Sequence, residues 1–371
     1  MIEGSDAIRR LETAGVRLFV GVPDSLMKGF CNALGSHTGE SRHVVAANEG
    51  AAVATAAGHY LATGNPAVVY MQNSGLGNAV NPLSSLTSRR VYGIPMVLLV
   101  GWRGEPGVSD EPQHEHQGAI TLDQLELLDI PVTVVGPDDD VTVFEDACLR
   151  AAANDGPVAL LVRKGTFAVS ADSDGVVGLT RFEAMETVLD ALPSDTAFVA
   201  TTGFTGRELA LLRENRGETW SSDLLMVGSM GHASAIALGL AIGSPKRLVC
   251  CLDGDGAVAM HMGTLAAIGA ERPSNLVQVV MNNRVHESVG GQPSALRHVD
   301  LTALAMSVGY ESAAVVSTGE ELAERLRLAA TGQAGPCLLD VRVGTGTVDG
   351  LPRPSEFRRR MADMREWLGA G

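Results

Sequence analysis

The sequence predicts two similar α/β domains, each a doubly wound, mostly parallel sheet with helices on both faces, and no domain between them. Three observations carry this expectation. Four landmarks recur at an offset close to 179 residues. They are Phe19-Val20 and Phe198-Val199; Gly64-Asn65-Pro66 and Gly243-Ser244-Pro245; Pro95 and Pro273; and Gly156-Pro157 and Gly335-Pro336. The runs near these landmarks, such as 96–100 and 276–281, are mostly apolar, and 96–100 is unbroken, as strands covered on both faces are. In each half an Ala/Gly-rich helical stretch, 50–62 or 232–242, precedes the second landmark.

Composition agrees. A length of 371 residues suits two domains, and 45% hydrophobic against 19% charged residues provides ample core. Aromatics at 4% and 43 glycines imply helices packed closely on sheets through small side chains. A net charge of −15 argues against nucleic acid as a partner, and an anionic substrate would need a local basic pocket. The five cysteines (Cys31, Cys148, Cys250, Cys251, Cys337) are odd in number and lack metal or disulfide spacing, so they read as reduced and mostly buried. The N-terminus has no apolar signal region, and no apolar run of about 18 residues exists. A soluble, cytoplasmic protein without membrane contact is expected.

In chain order, the first strand ends at Phe19-Val20 and runs into Gly-Val-Pro-Asp-Ser, where Asp24 has the form of a helix N-cap. A run from Val44 enters the first Ala/Gly-rich helix at Glu49. The strand 67–71 leads into Gln72-Asn73-Ser74-Gly75-Leu76-Gly77-Asn78, and the strand 96–100 into a long polar loop over 103–117. The strand 158–162 closes the first domain, residues 1–167. Residues 168–178 are the linker, and residues 179–371 are the second domain, opened by a helix over 181–192. Its tail, 352–368, carries Arg358-Arg359-Arg360 on a solvated or interface helix.

The most informative stretch is 251–283. An apolar strand runs into Asp253-Gly254-Asp255-Gly256, a small-residue helix follows near Ala257, and a second apolar strand stops at Asn282-Asn283. Two neighbouring parallel strands would deliver an acid and an amide to one carboxyl-end edge, where open α/β sheets bind ligands. Such oxygen donors suit Mg²⁺ with phosphate oxygens, and the glycines and the helix N-terminus suit a diphosphate. Plain turns after strands are the other reading. Glu49 stands among Val, Ala and Gly. Burial there would raise its pKa and let it hold a proton near neutrality; a Glu favoured by the helix dipole is the alternative. Asn73 and Ser74 stand at the first-domain strand end corresponding to 253–256. Without a carboxylate this segment should not hold metal, and it either lines a site or is a turn. His114 and His116 lack the further partners of a metal site.

Gly-Asp-Gly followed by paired Asn resembles the signature of thiamine diphosphate enzymes. The resemblance implies Mg²⁺ bound by Asp255, the Asn283 side chain and the carbonyl of Val285, with Gly254, Gly256 and Ala257 at the diphosphate. That family often has Asp-Gly after the paired Asn; Arg284-Val285 here keeps a carbonyl. Glu49 matches the Glu that bonds N1′ of the aminopyrimidine and favours the tautomer that removes the C2 proton. Gly228-Ser229-Met230-Gly231 resembles the motif that grips the pyrimidine from the other domain. Gly228 would be the carbonyl acceptor and Met230 the apolar prop. Asp24 matches an active-site acid of related decarboxylases, and His114 and His116 match their His-containing loop. The segments GVPDS (21–25), QNSGLGN (72–78), GWRGEPG (101–107), DEPQH (110–114), VRKGTF (162–167), TTGFTGREL (201–209), VGSMGH (227–232) and HESVGGQPS (286–294) resemble the phosphonopyruvate decarboxylases. These are two-domain thiamine diphosphate-dependent 2-oxo acid decarboxylases, and the resemblance spans nearly the whole chain.

It implies conversion of 3-phosphonopyruvate to phosphonoacetaldehyde and CO₂, in a homodimer or larger even assembly with active sites between subunits. The dianionic phosphonate would need charge-assisted donors, for which Ser25, Lys28, Arg103, Lys164, Arg284, His114, His116 and His286 are the candidates. The alternatives are a sulfopyruvate decarboxylase, a carboligating enzyme with a roomier acceptor pocket, and a cofactor-binding regulator without turnover. Glu49, Asp255 and Asn283 together speak against the regulator.

Overall fold

The computed structural model describes residues 1–169, 178–331 and 334–369, so residues 170–177 of the expected linker lie outside the described residues. The chain forms two compact units: residues 1–172 with 286–295, and residues 173–285 with 296–371.

In the first unit six strands, β1 (Leu18–Gly21), β2 (Arg42–Val45), β3 (Ala67–Gln72), β4 (Met96–Gly101), β5 (Val132–Val135) and β6 (Pro157–Val162), form one parallel sheet. Their order is β2-β1-β3-β4-β6-β5. The other unit contains β7 (Ala197–Ala200), β8 (Asp223–Leu225), β9 (Val249–Gly254) and β10 (Leu276–Asn282). A two-stranded ribbon of β11 (Val285–His286) and β12 (Gln292–Pro293) follows β10. β13 (Ser312–Val316) and β14 (Cys337–Arg342) complete the second sheet, whose order is β8-β7-β9-β10-β14-β13, again all parallel. The two orders are the same, as the repeated landmarks require.

The apolar runs divide between two faces because successive side chains in a strand point opposite ways. In β3, Val68 and Tyr70 join a core with Phe19, Phe30, Phe144 and Phe167, while Ala67, Val69 and Met71 join a second core on the other face. The helix Glu49–Thr63 covers that second face with Ala52, Val53, Ala56 and Ala57, whose small side chains let it lie close to the sheet. The Asn48 side chain caps its start by accepting from the Ala51 amide at 2.9 Å. Gly64, at φ 71°, stops it.

Each sheet has a switch point. β1 connects to β2 on one side and β3 to β4 on the other, so a crevice opens at the carboxyl ends of β1 and β3. The matching strands in the second unit are β7 and β9. Residues 21–25 and 72–78 therefore lie at the first switch point, and residues 201–203 and 254–256 at the second.

One expected loop is helical. The polar segment over 103–117 becomes a helix, Pro112–Leu127, from its second half onward, so His114 and His116 ride on a helix. Pro112 causes the difference: its fixed φ suits a first helical position and its missing N–H costs nothing there. The C-terminal helix, Phe357–Gly369, docks on its own unit through two cation–π contacts. Arg360 lies 3.6 Å from the Trp220 ring centroid, and Arg247 lies 3.9 Å from that of Trp367. All five cysteines are buried thiols. Among the described residues no helix is long and apolar enough to cross a membrane.

Candidate active site

Glu49 is the first residue of its helix and is fully buried. The run before it is not what buries it, since β2 is an edge strand and Val44 is 39% exposed. The segment after β3 does. Asn78 donates to Glu49 Oε2 at 2.7 Å, and a Cβ on Gly75 would lie 2.4 Å from Glu49 Oε1. Glycine at 75 is what lets the carboxyl sit there. Oε1 is buried with no hydrogen-bond partner. Desolvation pushes the Glu49 pKa up, and the Asn78 bond works against it. A carboxyl with one oxygen held and the other buried and unpartnered fits a ring nitrogen of a ligand as its missing partner.

Asp24 follows β1 and is also buried, with neither oxygen in a hydrogen bond. The amides of Ser25 and Leu26 lie close enough to temper its pKa without reaching hydrogen-bond geometry. Burial dominates and pushes it up to about 6. Gly101, at the end of β4, makes room: a Cβ there would lie 1.9 Å from Asp24 Oδ2.

Beyond β4 the chain turns through Arg103 to Asp110. Asn73 fixes the Arg103 backbone, its Nδ2 donating to the carbonyl at 2.8 Å and its Oδ1 accepting from the amide at 3.3 Å. The guanidinium donates to Asp110 through Nε at 2.8 Å and Nη2 at 2.5 Å, and to Ser25 Oγ through Nη1 at 3.0 Å. His114 Nδ1 lies 3.0 Å from Asp110 Oδ1. Gln117 Nε2 donates to the Asn73 carbonyl at 3.1 Å. The residues from Asn73 to Asn78 thus link the Glu49 carboxyl to the Arg103 cluster.

In the second unit Gly254 pairs with Met281, so β9 and β10 leave the sheet at the same edge. Asp255 heads the helix Asp255–Met260 and is 3% exposed. Asp253 points inward: its oxygens accept from the Gly254 amide at 3.0 Å and Gln278 Nε2 at 3.3 Å. Asn282 Nδ2 donates to the buried Asp340 at 2.8 Å, which anchors the first of the paired asparagines. Asn283 Oδ1 accepts from the Val285 amide at 3.2 Å, closing a turn through Arg284 at φ 64°. The donors along this edge are a carboxylate, an amide oxygen and backbone carbonyls. That is a hard oxygen set with no sulfur or imidazole, which fits Mg²⁺. Gly228 and Met230 are half-buried, and Ser229, at φ 52°, is exposed. His232, just after them, stacks on His261 with ring centroids 4.1 Å apart, so this loop lies beside the helix begun by Asp255. Gly254, Gly256 and Ala257 are half-exposed along that edge.

The remaining candidates are more dispersed. Ser74 is exposed and accepts from Gln72 Nε2 at 2.6 Å. His116 is exposed on its helix, and Lys164 is exposed after β6. Lys28 is half-buried at the start of the helix Lys28–Gly35, and Arg284 is exposed. Burial pulls the His286 pKa down to about 4, so this ring is neutral at physiological pH and offers a hydrogen bond rather than a charge. Sequence reasoning missed Asn78, Asp110 and Asp340 as supporting residues. Asn78 stands in a quoted motif but one helical turn beyond the residues singled out. Asp110 and Asp340 act through contacts that no local pattern announces.

The family described as thiamine pyrophosphate enzyme, N-terminal TPP binding domain, matches residues 3–127, and the C-terminal TPP binding domain matches residues 202–341. A phosphonopyruvate decarboxylase of Streptomyces viridochromogenes is 36% identical, covering 95% of this chain and 91% of its own. One of Streptomyces hygroscopicus is 35% identical, covering 98% and 94%. A sulfopyruvate decarboxylase of Methanosarcina acetivorans is 30% identical over 74% of this chain and 75% of its own. With both cofactor-binding domains matched and full-length likeness at this level, the chain belongs to the phosphonopyruvate decarboxylase family of thiamine pyrophosphate enzymes.

Proposed function

We propose that the protein decarboxylates 3-phosphonopyruvate to phosphonoacetaldehyde and CO₂, using thiamine diphosphate and Mg²⁺. The observation that carries this reading is the first-unit network in which the segment 73–78 joins the buried Glu49, whose pKa burial raises, to the guanidinium of Arg103. A 2-oxo acid with a dianionic tail needs both a proton-exchanging carboxyl and a charge-assisted anchor.

Thiamine diphosphate, when bound, supplies a cationic ring that accepts the electron pair left behind as CO₂ departs. Glu49 would bond N1′ of the aminopyrimidine and exchange a proton there, which its desolvated carboxyl is suited to do. Gly228 offers a carbonyl and Met230 an apolar surface to the cofactor ring. Asp255, Asn283 and the Val285 carbonyl would hold Mg²⁺, and Gly254, Gly256 and Ala257 would leave the backbone open to the diphosphate. Ser25, Arg103 and the neutral His286 contact the phosphonate, with Lys28 adding charge. Asp24, His114 and His116 handle protons near the reacting carbon, and Asn73 and Ser74 line the site.

The division into a pyrimidine-binding part, residues 1–167, a linker, residues 168–178, and a diphosphate-binding part, residues 179–371, belongs to this proposal. So does a homodimer or larger even assembly. The helix Glu49–Thr63 leaves Ala51, Ala54 and Leu61 exposed, Leu61 by 71%, and a second copy would cover them. A cytoplasmic setting accords with five buried thiols.

The test is CO₂ release by protein with thiamine diphosphate and Mg²⁺, given phosphonopyruvate, sulfopyruvate and pyruvate in parallel. Preference for phosphonopyruvate, abolished by omitting the cofactor, is the expected result. Preference for sulfopyruvate would keep the machinery and change the substrate. Release from none of the three would overturn the reading.

A further inference from the structure

We propose that Asp110 is a positioning residue of this reaction, setting the Arg103 guanidinium and the ring tautomer of His114 as one unit. The role rests on the decarboxylase reading above; the tautomer assignment does not.

The Asp110 carboxylate receives five donors. Oδ1 accepts from Arg103 Nη2 at 2.5 Å, the Glu111 amide at 2.7 Å and His114 Nδ1 at 3.0 Å. Oδ2 accepts from Arg103 Nε at 2.8 Å and the Gly104 amide at 2.9 Å. A bidentate guanidinium and two amides leave the carboxyl no reason to carry a proton, and they hold its pKa well below the usual carboxylate range. An ionised carboxylate only accepts. His114 must therefore carry a hydrogen on Nδ1 in both its neutral and cationic forms. The neutral ring then presents a lone pair at Nε2, where it can take or return a proton.

The same carboxylate sets the orientation of Arg103. Three of the five guanidinium N–H groups are engaged by Asp110 and Ser25, which fixes the plane of the fork. The remaining two, one on each Nη, form the edge a phosphonate would meet. One residue thus couples the anion anchor to the proton carrier. Both partners are half-buried, with side chains 19% and 13% exposed, so neither is held by packing alone.

The experiment compares wild type, Asp110→Asn, His114→Gln and the double variant as holoenzymes. Nitrogen-15 NMR of the ring nitrogens, with the His114 signals assigned by their loss in His114→Gln, reads the tautomer without substrate. Wild type should show His114 as the Nδ1–H form, and Asp110→Asn should shift it toward Nε2–H. In turnover, Asp110→Asn should raise KM and lower kcat, each by about 10-fold or more, as loss of an orienting carboxylate does. The kcat effect should be absent in the His114→Gln background, while the KM effect persists. A purely structural role would instead multiply with His114→Gln and leave the tautomer alone. Wild-type His114 in the Nε2–H form overturns the proposal whatever the substrate. Kinetics within about 2-fold of wild type in Asp110→Asn overturn it as well. A wild-type holoenzyme that releases no CO₂ from phosphonopyruvate while showing the expected tautomer overturns the functional reading instead.

Discussion

Asn78 Nδ2 donates to Glu49 Oε2 at 2.7 Å, and among the described residues this is the one side-chain hydrogen bond that stabilises the charged form of a carboxyl otherwise raised by burial. The bond crosses from the helix after β3 to the helix after β2, so it ties together two carboxyl-end segments of the first sheet.

Asn78→Ala should destabilise the cofactor-free protein by about 1–3 kcal/mol, the cost of leaving a buried acceptor unpaired. The sign with pH follows from the bond. Asn78 lowers the Glu49 pKa, so removing it lifts the folded-state pKa further. The stability gap to wild type should widen as pH rises and narrow in acid. Urea denaturation at several pH values checks both statements.

Glu49→Gln should separate stability from function. A raised folded pKa contributes stability that is present in acid and lost as pH rises through the folded value. The wild-type carboxyl loses that stability as pH rises, and the amide, which does not titrate, keeps it. The variant should be the more stable of the two at pH 8, with the difference shrinking toward pH 4. CO₂ release should fall by roughly 10²–10⁴-fold, the usual worth of a positioned acid–base group. Full turnover in this variant would remove Glu49 from the chemistry.

Asp24 titrates near 6 in the fold against 3.8 for an unperturbed side chain. The stability held by its protonated form is therefore complete below about pH 4 and lost through about pH 6. Asp24→Asn lacks this dependence. It should gain on wild type by on the order of 2–3 kcal/mol between those limits, and kcat should fall. Thermal unfolding from pH 4 to 8 measures the gain, and parallel turnover assays measure the loss.

Asp255→Ala should weaken thiamine diphosphate binding by at least about 10-fold in the presence of Mg²⁺, because a carboxylate ligand also fixes the diphosphate through the metal. A chelator should weaken binding to wild type to the same degree and leave the variant unchanged. Fluorescence titration with and without chelator decides it. Unchanged affinity in the variant would remove Asp255 from the metal site.

Much of this was legible because it is local. Strand ends, apolar runs and Gly/Pro punctuation placed β3, β4, β6 and β10 within two residues of where they lie, since these strands are buried on both faces. The edges were harder. β2 carries Arg42 and His43 and half-exposed valines, so its pattern does not announce a strand. The loop expected over 103–117 failed because polarity outweighed the helix-starting signal of Pro112. Glu49 was legible as a costly carboxylate, but its actual burial comes from Gly75 and Asn78, more than twenty residues away in sequence. Asp110 was invisible for the same reason: five donors converge on it through a turn that only the folded chain forms.

The shared strand order has a historical consequence. At the repeat offset Gly228 answers Glu49, and Asp255 answers Leu76, each pair at an equivalent sheet edge. If one ancestral unit was copied, the copies have since divided their labour. One lineage holds a buried acid where the other has bare backbone, and the second holds a buried carboxylate at a helix start where the first has an aliphatic side chain. Neither half retains a spare for what the other does. A carboxyl lost at Glu49 or at Asp255 therefore has no counterpart at the equivalent position of the other half.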